Sequence, residues 1–329
     1  MGYHGPMPPP ARPLTATIIL AWDGSHVTAA CLAALARQTY QNHRIFLVDN
    51  GATPPIAPPL EPPVTLLRLP ENRGFAGGVN AGINAALAAG AAFVWLLNDD
   101  AQAPPDTLEK LVAAAAADPR IGIVSPVIRN ADDHGRPAFT AGRIDPATLV
   151  FHYADTPETA ALWAREAPDR IWVTGTAMLL RRELLEKIGD FDESLFAYWE
   201  DNDICLRAIQ AGFRNVMVPD AGVLHPNGPP GGHAARPPYF HYYMARNPLL
   251  LLRKHRAPLR PWFWALLGQA ADLARLPPDP ARRNALRRGT WHGLMGVTGP
   301  QPPPGPLAPV LGQAVLALAR LAARLRRNR

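Results

Sequence analysis

The sequence contains few cysteines and no long apolar run. Its two cysteines, Cys31 and Cys205, are far apart, which excludes a disulfide framework and a zinc-ligand spacing. We expect both to be buried structural thiols, compatible with a reducing cytoplasm. The apolar stretches Pro261–Ala271 and Val310–Ala319 fall short of the roughly 18 residues of a membrane-spanning helix. The proline-rich residues 1–13 lack the parts of a signal peptide and are expected to be flexible.

Acidic residues are nearly absent from the last third of the chain. Residues 221–329 hold 16 Lys and Arg but 2 Asp and Glu, whereas residues 1–220 hold 17 and 25. The net charges are therefore +14 and −8. A basic segment favours phosphate-bearing partners, either nucleic acid or an anionic membrane surface.

The body of the chain shows no pattern of a protein that reads nucleic-acid bases, so nucleic acid is not expected as a partner. We expect residues from about Tyr242 onward to dock on an anionic membrane, which would place a cytoplasmic protein peripherally at the inner face of the cell membrane. A basic helix packed on the body, or a homo-oligomer contact, is the alternative.

Apolar runs alternate with helical patterns through the first 128 residues. The sequence predicts strands at Thr15–Trp22, Arg44–Gly51, Val64–Asn72, Ala92–Asp100 and Ile121–Ile128, and helices at Val27–Tyr40, Gly78–Gly90 and Pro105–Asp118. Such alternation indicates parallel βαβ units with helices on both faces of the sheet. Ligands then bind beyond the carboxyl ends of the strands, where Asp49 and Asn98–Asp100 lie.

The later chain is less regular. Residues 130–170 show no firm periodicity, and Ile171–Glu193 reads as a strand, a turn and a short helix. Helices are predicted at Tyr242–His255 and Leu311–Arg329, with a proline-broken apolar piece between them. The stretch LFAYWEDNDICLRAIQAGF, residues 195–213, places three acidic residues directly after two aromatics. Acidic residues are favoured in the first turn of a helix, and we expect Asp203 to have only that role.

Four motifs occur in a fixed order: LVDNG, ENRGFAGGVNAG, LLNDDA, and FAYWEDNDICLRAIQAGF followed by VPDAGVLH. Over roughly residues 16–252 this order resembles the inverting glycosyltransferases of family 2, in particular the rhamnosyltransferase-like branch. The resemblance implies an α/β GT-A fold, a Rossmann-like and mostly parallel sheet flanked by helices, with a helical basic C-terminal extension. It divides the chain into a nucleotide-sugar-binding part (14–128), an acceptor and catalytic part (129–228) and the C-terminal region (229–329).

The resemblance also implies a divalent metal, Mg²⁺ or Mn²⁺. The family carries Asp-x-Asp after the fourth strand, and the aligned residues here are Asn98, Asp99 and Asp100. Asp100 is then the main metal ligand. Asp99 lies beside the ribose, or contacts the metal ligands without binding the metal itself. His225 matches a histidine that completes metal or diphosphate contact in relatives. Hard cations take oxygen ligands, and magnesium usually takes only one or two from protein.

The remaining site residues follow from the same motifs. Asp49 matches the residue that binds the pyrimidine base. The loop of Asn72, Arg73 and Gly74 is expected to face the base or the diphosphate, and Asn98 belongs to the same nucleotide site.

The resemblance further implies that a Glu-Asp pair, here Glu200 and Asp201, supplies the catalytic base. We assign Asp201 as the base and Glu200 as the residue that orients it or the acceptor. Tyr198 and Trp199 offer flat apolar faces for a sugar or lipid acceptor, or alternatively fill the core.

The predicted function is inverting, metal-assisted transfer of a sugar from a dTDP- or UDP-sugar to a glycan or lipid-linked acceptor. One alternative is a sugar-1-phosphate nucleotidyltransferase, which would need a basic Gly-rich loop after the first strand, where this chain has AWDGSHVT. Another is a non-catalytic nucleotide-sugar or membrane-surface binder, favoured only by the missing first Asp of the metal motif.

Overall fold

The computed structural model describes residues 12–22, 27–57, 61–133, 136–226, 232–303 and 305–327. The flexible start predicted for residues 1–13 therefore falls almost wholly outside the described residues. The strands are β1 (Thr15–Ala21), β2 (His43–Asn50), β3 (Thr65–Leu69), β4 (Phe93–Asn98), β5 (Ile121–Asn130), β6 (Pro137–Phe139), β7 (Gly142–Asp145), β8 (Val150–Tyr153), β9 (Ile171–Trp172), β10 (Ala177–Arg181) and β11 (Arg214–His225).

The helices alternate with these strands and then follow them. They are α1 (Val27–Leu35), α2 (Gly74–Ala88), α3 (Thr107–Ala117), α4 (Pro157–Glu166), α5 (Arg182–Ile188), α6 (Glu200–Gln210), α7 (Pro238–Lys254), α8 (Leu259–Arg275), α9 (Pro280–Met295) and α10 (Ala308–Arg327).

The central sheet has the strand order β11-β5-β10-β4-β1-β2-β3, with β6 paired to β5. Strands β4, β1, β2 and β3 run parallel, and β11 is parallel to β5. Strand β10 lies between β4 and β5 and is antiparallel to both. The predicted α/β fold with a mostly parallel sheet is confirmed. The antiparallel insertion of β10 was not predicted, because an apolar run does not specify its direction.

Both faces of this sheet are buried. Ile18 and Ile19 are neighbours in β1, but they belong to different cores. Ile18 lies in the core that includes helix α2, and Ile19 lies in the core on the opposite face of the sheet. Leu96 and Leu97 divide in the same way in β4. Successive side chains of a strand point to opposite faces, so a sheet covered on both sides needs continuous apolar runs. The parallel strands were readable from the sequence for this reason.

Helix α2 lies unusually close to strand β1 through its glycines. A side chain at Gly78 would clash with Leu20, and a Cβ at Gly82 would lie 2.5 Å from Cγ2 of Ile18. The helix begins at Gly74, four residues before the predicted start. The glycine-rich beginning therefore belongs to the helix itself and brings its N-terminus over the carboxyl edge of the sheet.

A second, smaller sheet lies within residues 142–172, and the sequence pattern did not reveal it. Strands β8, β7 and β9 pair in that order as an antiparallel sheet. Helix α4 lies in the chain between β8 and β9. Trp172 joins the sheet by donating from Nε1 to the His152 carbonyl at 3.1 Å, and its ring contacts Phe151 and Tyr153. Its strands span only two to four residues, too short for a periodic signal.

The C-terminal region is helical, as predicted. The apolar piece that was predicted to be broken by proline contains the continuous helix α8. Pro261 does not break it, because it stands in the first turn, where backbone N–H groups have no partner within the helix. Helix α9 was missed because its polar and glycine residues hide its periodicity; Asp279 caps it by accepting from the backbone N–H groups of Ala281 and Arg282. No helix in the described part of the chain is long and apolar enough to cross a membrane.

Candidate active site

An acidic cluster follows strand β4 at the carboxyl edge of the sheet. Asp100 Oδ1 lies 3.2 Å from His225 Nε2, and the Asn98 side-chain amide lies 3.3 Å from the same nitrogen. Asp99 lies on the other side, where its Oδ2 accepts from the Thr28 hydroxyl at 3.4 Å. The structure thus brings His225 to Asn98 and Asp100, as the predicted metal site requires.

Strand β11 carries His225 to this edge. Just beyond the acidic cluster, the backbone of Gln102 pairs with that of Leu224, with N–H to carbonyl distances of 2.8 and 2.9 Å. Because Leu224 precedes His225, this short antiparallel bridge fixes the imidazole beside Asp100. Sequence separation had hidden the contact, since the two residues are 125 positions apart in the chain.

The chemistry of the Asp100–His225 pair fits a divalent cation. Oδ1 of Asp100 is buried, and no described donor forms a hydrogen bond with it despite the nearby imidazole. A buried carboxylate oxygen without a donor is costly unless a cation or water fills the gap. Within the described residues no group of three His, Cys, Asp or Glu side chains is arranged around a metal position. Asp100 and His225 would therefore hold an ion jointly with substrate phosphates.

Asp201 stands in the first turn of helix α6 and is held by backbone N–H groups. Its Oδ2 accepts from Gly175 at 3.0 Å, and its Oδ1 accepts from Asn202 at 2.8 Å. Burial raises the pKa of Asp201 above its ordinary value, and these hydrogen bonds only partly oppose the effect. The result is an oriented carboxylate with more proton affinity than a surface aspartate, which suits a general base.

Glu200 directly precedes Asp201 in the chain and is buried. Its Oε2 has no hydrogen-bond partner among the described residues. Burial, with the charge of Asp201 added, raises the pKa of Glu200 well above its ordinary value. The two carboxyl groups therefore differ in environment, and the one with the backbone donors, Asp201, is the better candidate to stay ionised.

The segment Thr174–Thr176 connects the Asp201 carboxylate to the acidic cluster. Gly175 donates its N–H to Asp201, while the carbonyl of Thr176 accepts from the backbone N–H of Asn98 at 3.0 Å. A Cβ at Gly175 would lie 3.4 Å from the Cβ of Asp201. The carboxylate and the strand-end cluster are thus joined through the two backbone residues Gly175 and Thr176, although about a hundred residues separate them in the chain.

The loop of Asn72, Arg73 and Gly74 is shaped by Asn50. The Asn50 side chain accepts from the Arg73 N–H at 3.0 Å and donates to the Gly74 carbonyl at 3.1 Å. Asn72 Oδ1 in turn accepts from the Gly74 N–H at 2.8 Å. Gly74 has φ +72°, and a side chain there would clash with the Phe196 carbonyl, so glycine is required.

Two predicted nucleotide residues also have partners within the protein. The guanidinium of Arg73 forms an ion pair with Glu193 at 2.9 Å. Asp49 accepts from the backbone N–H groups of Ala52 and Ile56 at 2.8 and 3.1 Å, which orders the loop after β2. A carboxylate has about four lone-pair directions, so Asp49 retains capacity for a further donor.

The aromatic residues before helix α6 adopt a strained backbone. Phe196, Tyr198 and Trp199 have φ values of 65°, 67° and 73°. Non-glycine residues in this region cost of order 1–3 kcal/mol each and persist only when the surroundings hold them. The buried Asn247 of α7 provides that support, since its Nδ2 lies 3.0 Å from the Leu195 carbonyl and 2.7 Å from the Tyr198 carbonyl.

Asp203 has a larger role than starting a helix. It is fully buried and lies 2.7 Å from Arg207 Nε, 2.9 Å from Lys254 Nζ and 2.9 Å from His255 Nε2. Burial alone would raise its pKa, but the His255 hydrogen bond and the two cationic charges lower the pKa of Asp203 to about 2. Through this network the end of α7 is fixed to the helix that carries Asp201.

Comparison with known proteins settles the family. The sequence profile of glycosyl transferase family 2 matches residues 17–189. The chain belongs to this family. It is 31% identical to the N-acetylglucosaminyl-diphospho-decaprenol L-rhamnosyltransferase of Mycobacterium tuberculosis, over 78% of this chain and 90% of that one. It is 26% identical to the dTDP-rhamnosyl transferase RfbF of Shigella flexneri, over 79% and 88% of the two chains.

Solved structures support the fold. The family 2 chain aligns with TarS of S. aureus with a TM-score of 0.55 at 14% identity, over 94% of this chain and 53% of TarS. It also aligns with GalNAc-T7, solved with UDP, GalNAc and Mn²⁺, with a TM-score of 0.51 at 16% identity, over 82% and 59% of the chains. The predicted GT-A fold and rhamnosyltransferase-like branch are confirmed, and the protein is a glycosyltransferase enzyme.

Sequence reasoning missed several residues of this glycosyltransferase site. Asn50, Gly175 and Asn247 position the predicted residues but were given no role in the sequence analysis. Asn50 stands within the motif LVDNG, and Asn247 left a signal because it and Arg246 interrupt the apolar, aromatic run YYMARNPLLLL, whereas Gly175 left none. A polar pair that is fully buried in such a run must have specific partners.

Proposed function

We propose that this family 2 enzyme transfers a sugar, with inversion, from a dTDP- or UDP-sugar to a lipid-linked or glycan acceptor. The observation that carries the proposal is the backbone link at Gly175 and Thr176, which sets the Asp201 carboxylate beside the Asn98–Asp100 cluster. Two relatives support the substrates: one is named for a dTDP-rhamnosyl donor and the other for a diphospho-decaprenol acceptor.

Transfer requires a base on the face opposite the leaving group. The acceptor hydroxyl oxygen bonds to the anomeric carbon as the bond from that carbon to the diphosphate oxygen breaks, and Asp201 takes the hydroxyl proton. The backbone N–H groups of Gly175 and Asn202 hold this carboxylate in place. Glu200, buried beside it, orients Asp201 or the acceptor.

The donor nucleotide is assigned to the carboxyl ends of β2 and β4. Asp49 accepts from the base, the loop of Asn72, Arg73 and Gly74 lies along the base or diphosphate, and Asn98 and Asp99 complete the nucleotide site. The order that Asn50 imposes on this loop supports the assignment, because a preorganised loop loses little freedom on binding.

Asp100 and His225 are assigned to the divalent metal. A cation held there would neutralise the charge that develops on the departing diphosphate. The buried Oδ1 of Asp100, which lies 3.2 Å from His225 Nε2 but accepts no hydrogen bond from a described residue, supports this role.

We predict that Asp100→Ala removes the metal-dependent part of nucleotide affinity. Loss of even an outer partner of a metal ligand typically costs 10–100-fold in affinity, so loss of the main ligand should cost about tenfold or more. Calorimetry of UDP and dTDP with and without Mn²⁺ measures the effect. Asp106→Ala, which removes an exposed carboxylate six residues away, is the matched control and should leave the metal dependence intact. Equal metal dependence in the wild type and Asp100→Ala would place the metal elsewhere.

Helix α10 supports a membrane-surface role for the basic C-terminal region. One face packs on the protein through the buried residues Gly312, Leu316 and Ala319. The opposite face exposes an apolar stripe consisting of Val310, Leu311, Leu318 and Leu321, and the exposed Leu307 directly precedes the helix. An exposed apolar stripe on a basic helix is typical of segments that lie in the interface of an anionic membrane.

We predict that the protein binds vesicles of phosphatidylcholine with phosphatidylglycerol, that salt weakens the binding, and that Leu318→Glu/Leu321→Glu abolishes it. Each basic residue near such a surface contributes at most about 1 kcal/mol, so attachment should be reversible. Co-sedimentation measures the bound fraction. The control Ala113→Glu/Ala116→Glu adds the same charge at the same spacing to exposed positions of α3.

Equal binding to neutral vesicles, or none at low salt, would refute membrane docking. A dimer in solution that the Leu318→Glu/Leu321→Glu variant dissociates, without vesicle binding, would instead show that the stripe joins copies of the chain. The transferase assignment is independent of either result.

A further inference from the structure

A cavity of about 510 Å³ lies between the Trp199 loop and helices α7, α8 and α9. Its walls include Trp199, Phe240, Met244, Trp264, Leu276 and Leu286. The volume falls within the roughly 300–1,000 Å³ of small-molecule sites, which are mostly apolar with few polar groups. None of the residues proposed for the nucleotide site lines this cavity.

Apart from His241, whose ring packs against Phe240 in the wall, the polar side chains of this cavity are engaged with other polar protein groups. Gln269 donates to the Ala245 carbonyl at 2.7 Å, and its Oε1 accepts from the Thr290 hydroxyl at 2.7 Å. Arg275 and Asp272 lie 3.5 Å apart, with side chains 79% and 63% exposed, so they belong to the rim. A sugar would need several hydrogen-bond partners here, whereas an apolar chain needs none, and the lining therefore favours an apolar ligand.

Trp199 connects the cavity to the catalytic residues. It lines the cavity and directly precedes Glu200 and Asp201, and its carbonyl accepts from the backbone N–H of Asp203 at 3.0 Å in the first turn of α6. Asn247 of α7 holds the same loop at the Tyr198 carbonyl. An apolar group in the cavity would thus lie against the loop that presents the base.

The outer wall of the cavity carries a large apolar side chain. Trp264 of α8 lines the cavity and is 51% exposed. The exposed residues Asp272 and Arg275 of the same helix form a polar part of the rim. A ligand longer than the cavity could leave it past Trp264, where an exposed apolar side chain favours an apolar partner.

We propose that the cavity binds the first isoprene units of a polyprenyl diphosphate acceptor and so selects lipid-linked acceptors over free glycans. This inference rests on the proposed transferase function. The diphospho-decaprenol in the name of the 31% identical relative is a ligand of this chemistry. The lipid segment lies against Trp199 and Trp264, and the sugar that it carries is directed toward Asp201.

Gly268 allows the cavity to be filled without disturbing the fold. It lines the cavity, and no described atom lies within 4 Å of a Cβ built there. Gly268→Leu adds a side chain at this position and also improves the helix propensity of α8. Ala274→Leu is the matched control, since Ala274 is exposed on the same helix and does not line the cavity. Trp264→Ala is a second variant, which removes a wall instead of filling the space.

Farnesyl diphosphate is the probe, and its binding is measured by calorimetry beside that of UDP. Gly268→Leu should weaken farnesyl diphosphate binding by about tenfold or more, because filling the space excludes the chain. Trp264→Ala should also weaken it, whereas Ala274→Leu should match the wild type. UDP affinity should stay the same in all four proteins. In transfer assays, Gly268→Leu should raise the KM for a farnesyl-linked acceptor but not for the same headgroup on a methyl group.

Farnesyl diphosphate binding that Gly268→Leu and Trp264→Ala leave within about twofold of wild type would overturn the proposal. Competition between farnesyl diphosphate and UDP for one site would overturn it as well, because the probe would then occupy the nucleotide site. Failure of the cavity proposal is distinguishable from failure of the transferase proposal, since UDP binding and transfer to the methyl-linked acceptor test the latter alone.

Discussion

Asp201→Asn is expected to lower kcat for sugar transfer by roughly 10²–10⁴-fold, which is the usual contribution of a positioned general base. The amide keeps the size of the side chain and an acceptor for Gly175 or Asn202, but it cannot take the proton of the acceptor hydroxyl. Binding of UDP or dTDP should change little. Steady-state transfer rates and calorimetry of the nucleotides together measure the two effects.

Glu200→Gln is the matched control, because it changes the adjacent buried carboxyl group in the same way. If Glu200 only orients its neighbour, this variant should lose less activity than Asp201→Asn. Transfer by Asp201→Asn within about threefold of wild type would rule out its role as base.

The pH profile adds an independent check on Asp201. A base acts in its ionised form, so kcat/KM should rise with pH through the pKa of Asp201 in the free enzyme. Burial raises this pKa, so the acid limb of the profile should lie above the usual range of aspartate. The limb should disappear in Asp201→Asn.

Asp203→Ala is expected to destabilise the protein by about 3–5 kcal/mol, because it leaves Arg207, Lys254 and His255 around a site without its buried anion. Urea denaturation measures the change in the free energy of unfolding. Asp106→Ala is the matched control: Asp106 and Lys110 are also an i,i+4 pair, but both are at the surface, where such pairs contribute at most about 1 kcal/mol. Equal effects of the two substitutions would contradict the role of the Asp203 network.

The same network predicts how stability responds to acid. The folded-state pKa of Asp203 is lowered to about 2, so its contribution to stability is fully present above the ordinary aspartate pKa of about 4. That contribution is lost as the pH falls from about 4 toward 2, because protonation then removes the anion from its three partners. Asp203→Ala should flatten the dependence of unfolding free energy on pH within this window.

The sheet and the residues at its carboxyl edge were predictable from local patterns. Strands β1, β2 and β4 are buried on both faces and read as apolar runs, so Asp49 and Asn98–Asp100 could be placed at strand ends. Those ends share one edge in parallel strands. The start of α6 was predictable too, because Glu200, Asp201 and Asp203 occupy its first turn.

Contacts between distant segments were not predictable from these patterns. The pairing of Gln102 with Leu224 places His225, and no periodicity in either segment signals it. Asp203 looked like a helix-start residue because its partners Lys254 and His255 lie fifty residues further along the chain. Charge composition made the C-terminal region look like an appendage, whereas Asn247 and Lys254 of α7 contact the loop and the helix that carry Asp201.

We propose, above all, that this enzyme transfers a sugar with inversion from a nucleotide donor to a lipid-linked acceptor. The most direct test is NMR of the product formed from dTDP-rhamnose and an N-acetylglucosaminyl-diphospho-polyprenol in the presence of Mg²⁺, with other dTDP- and UDP-sugars tried in parallel. We expect a new glycosidic bond whose anomeric configuration is opposite to that of the donor, together with release of the nucleoside diphosphate. Retention of the donor configuration, or no transfer from any of these donors with Mg²⁺ or Mn²⁺, would contradict it.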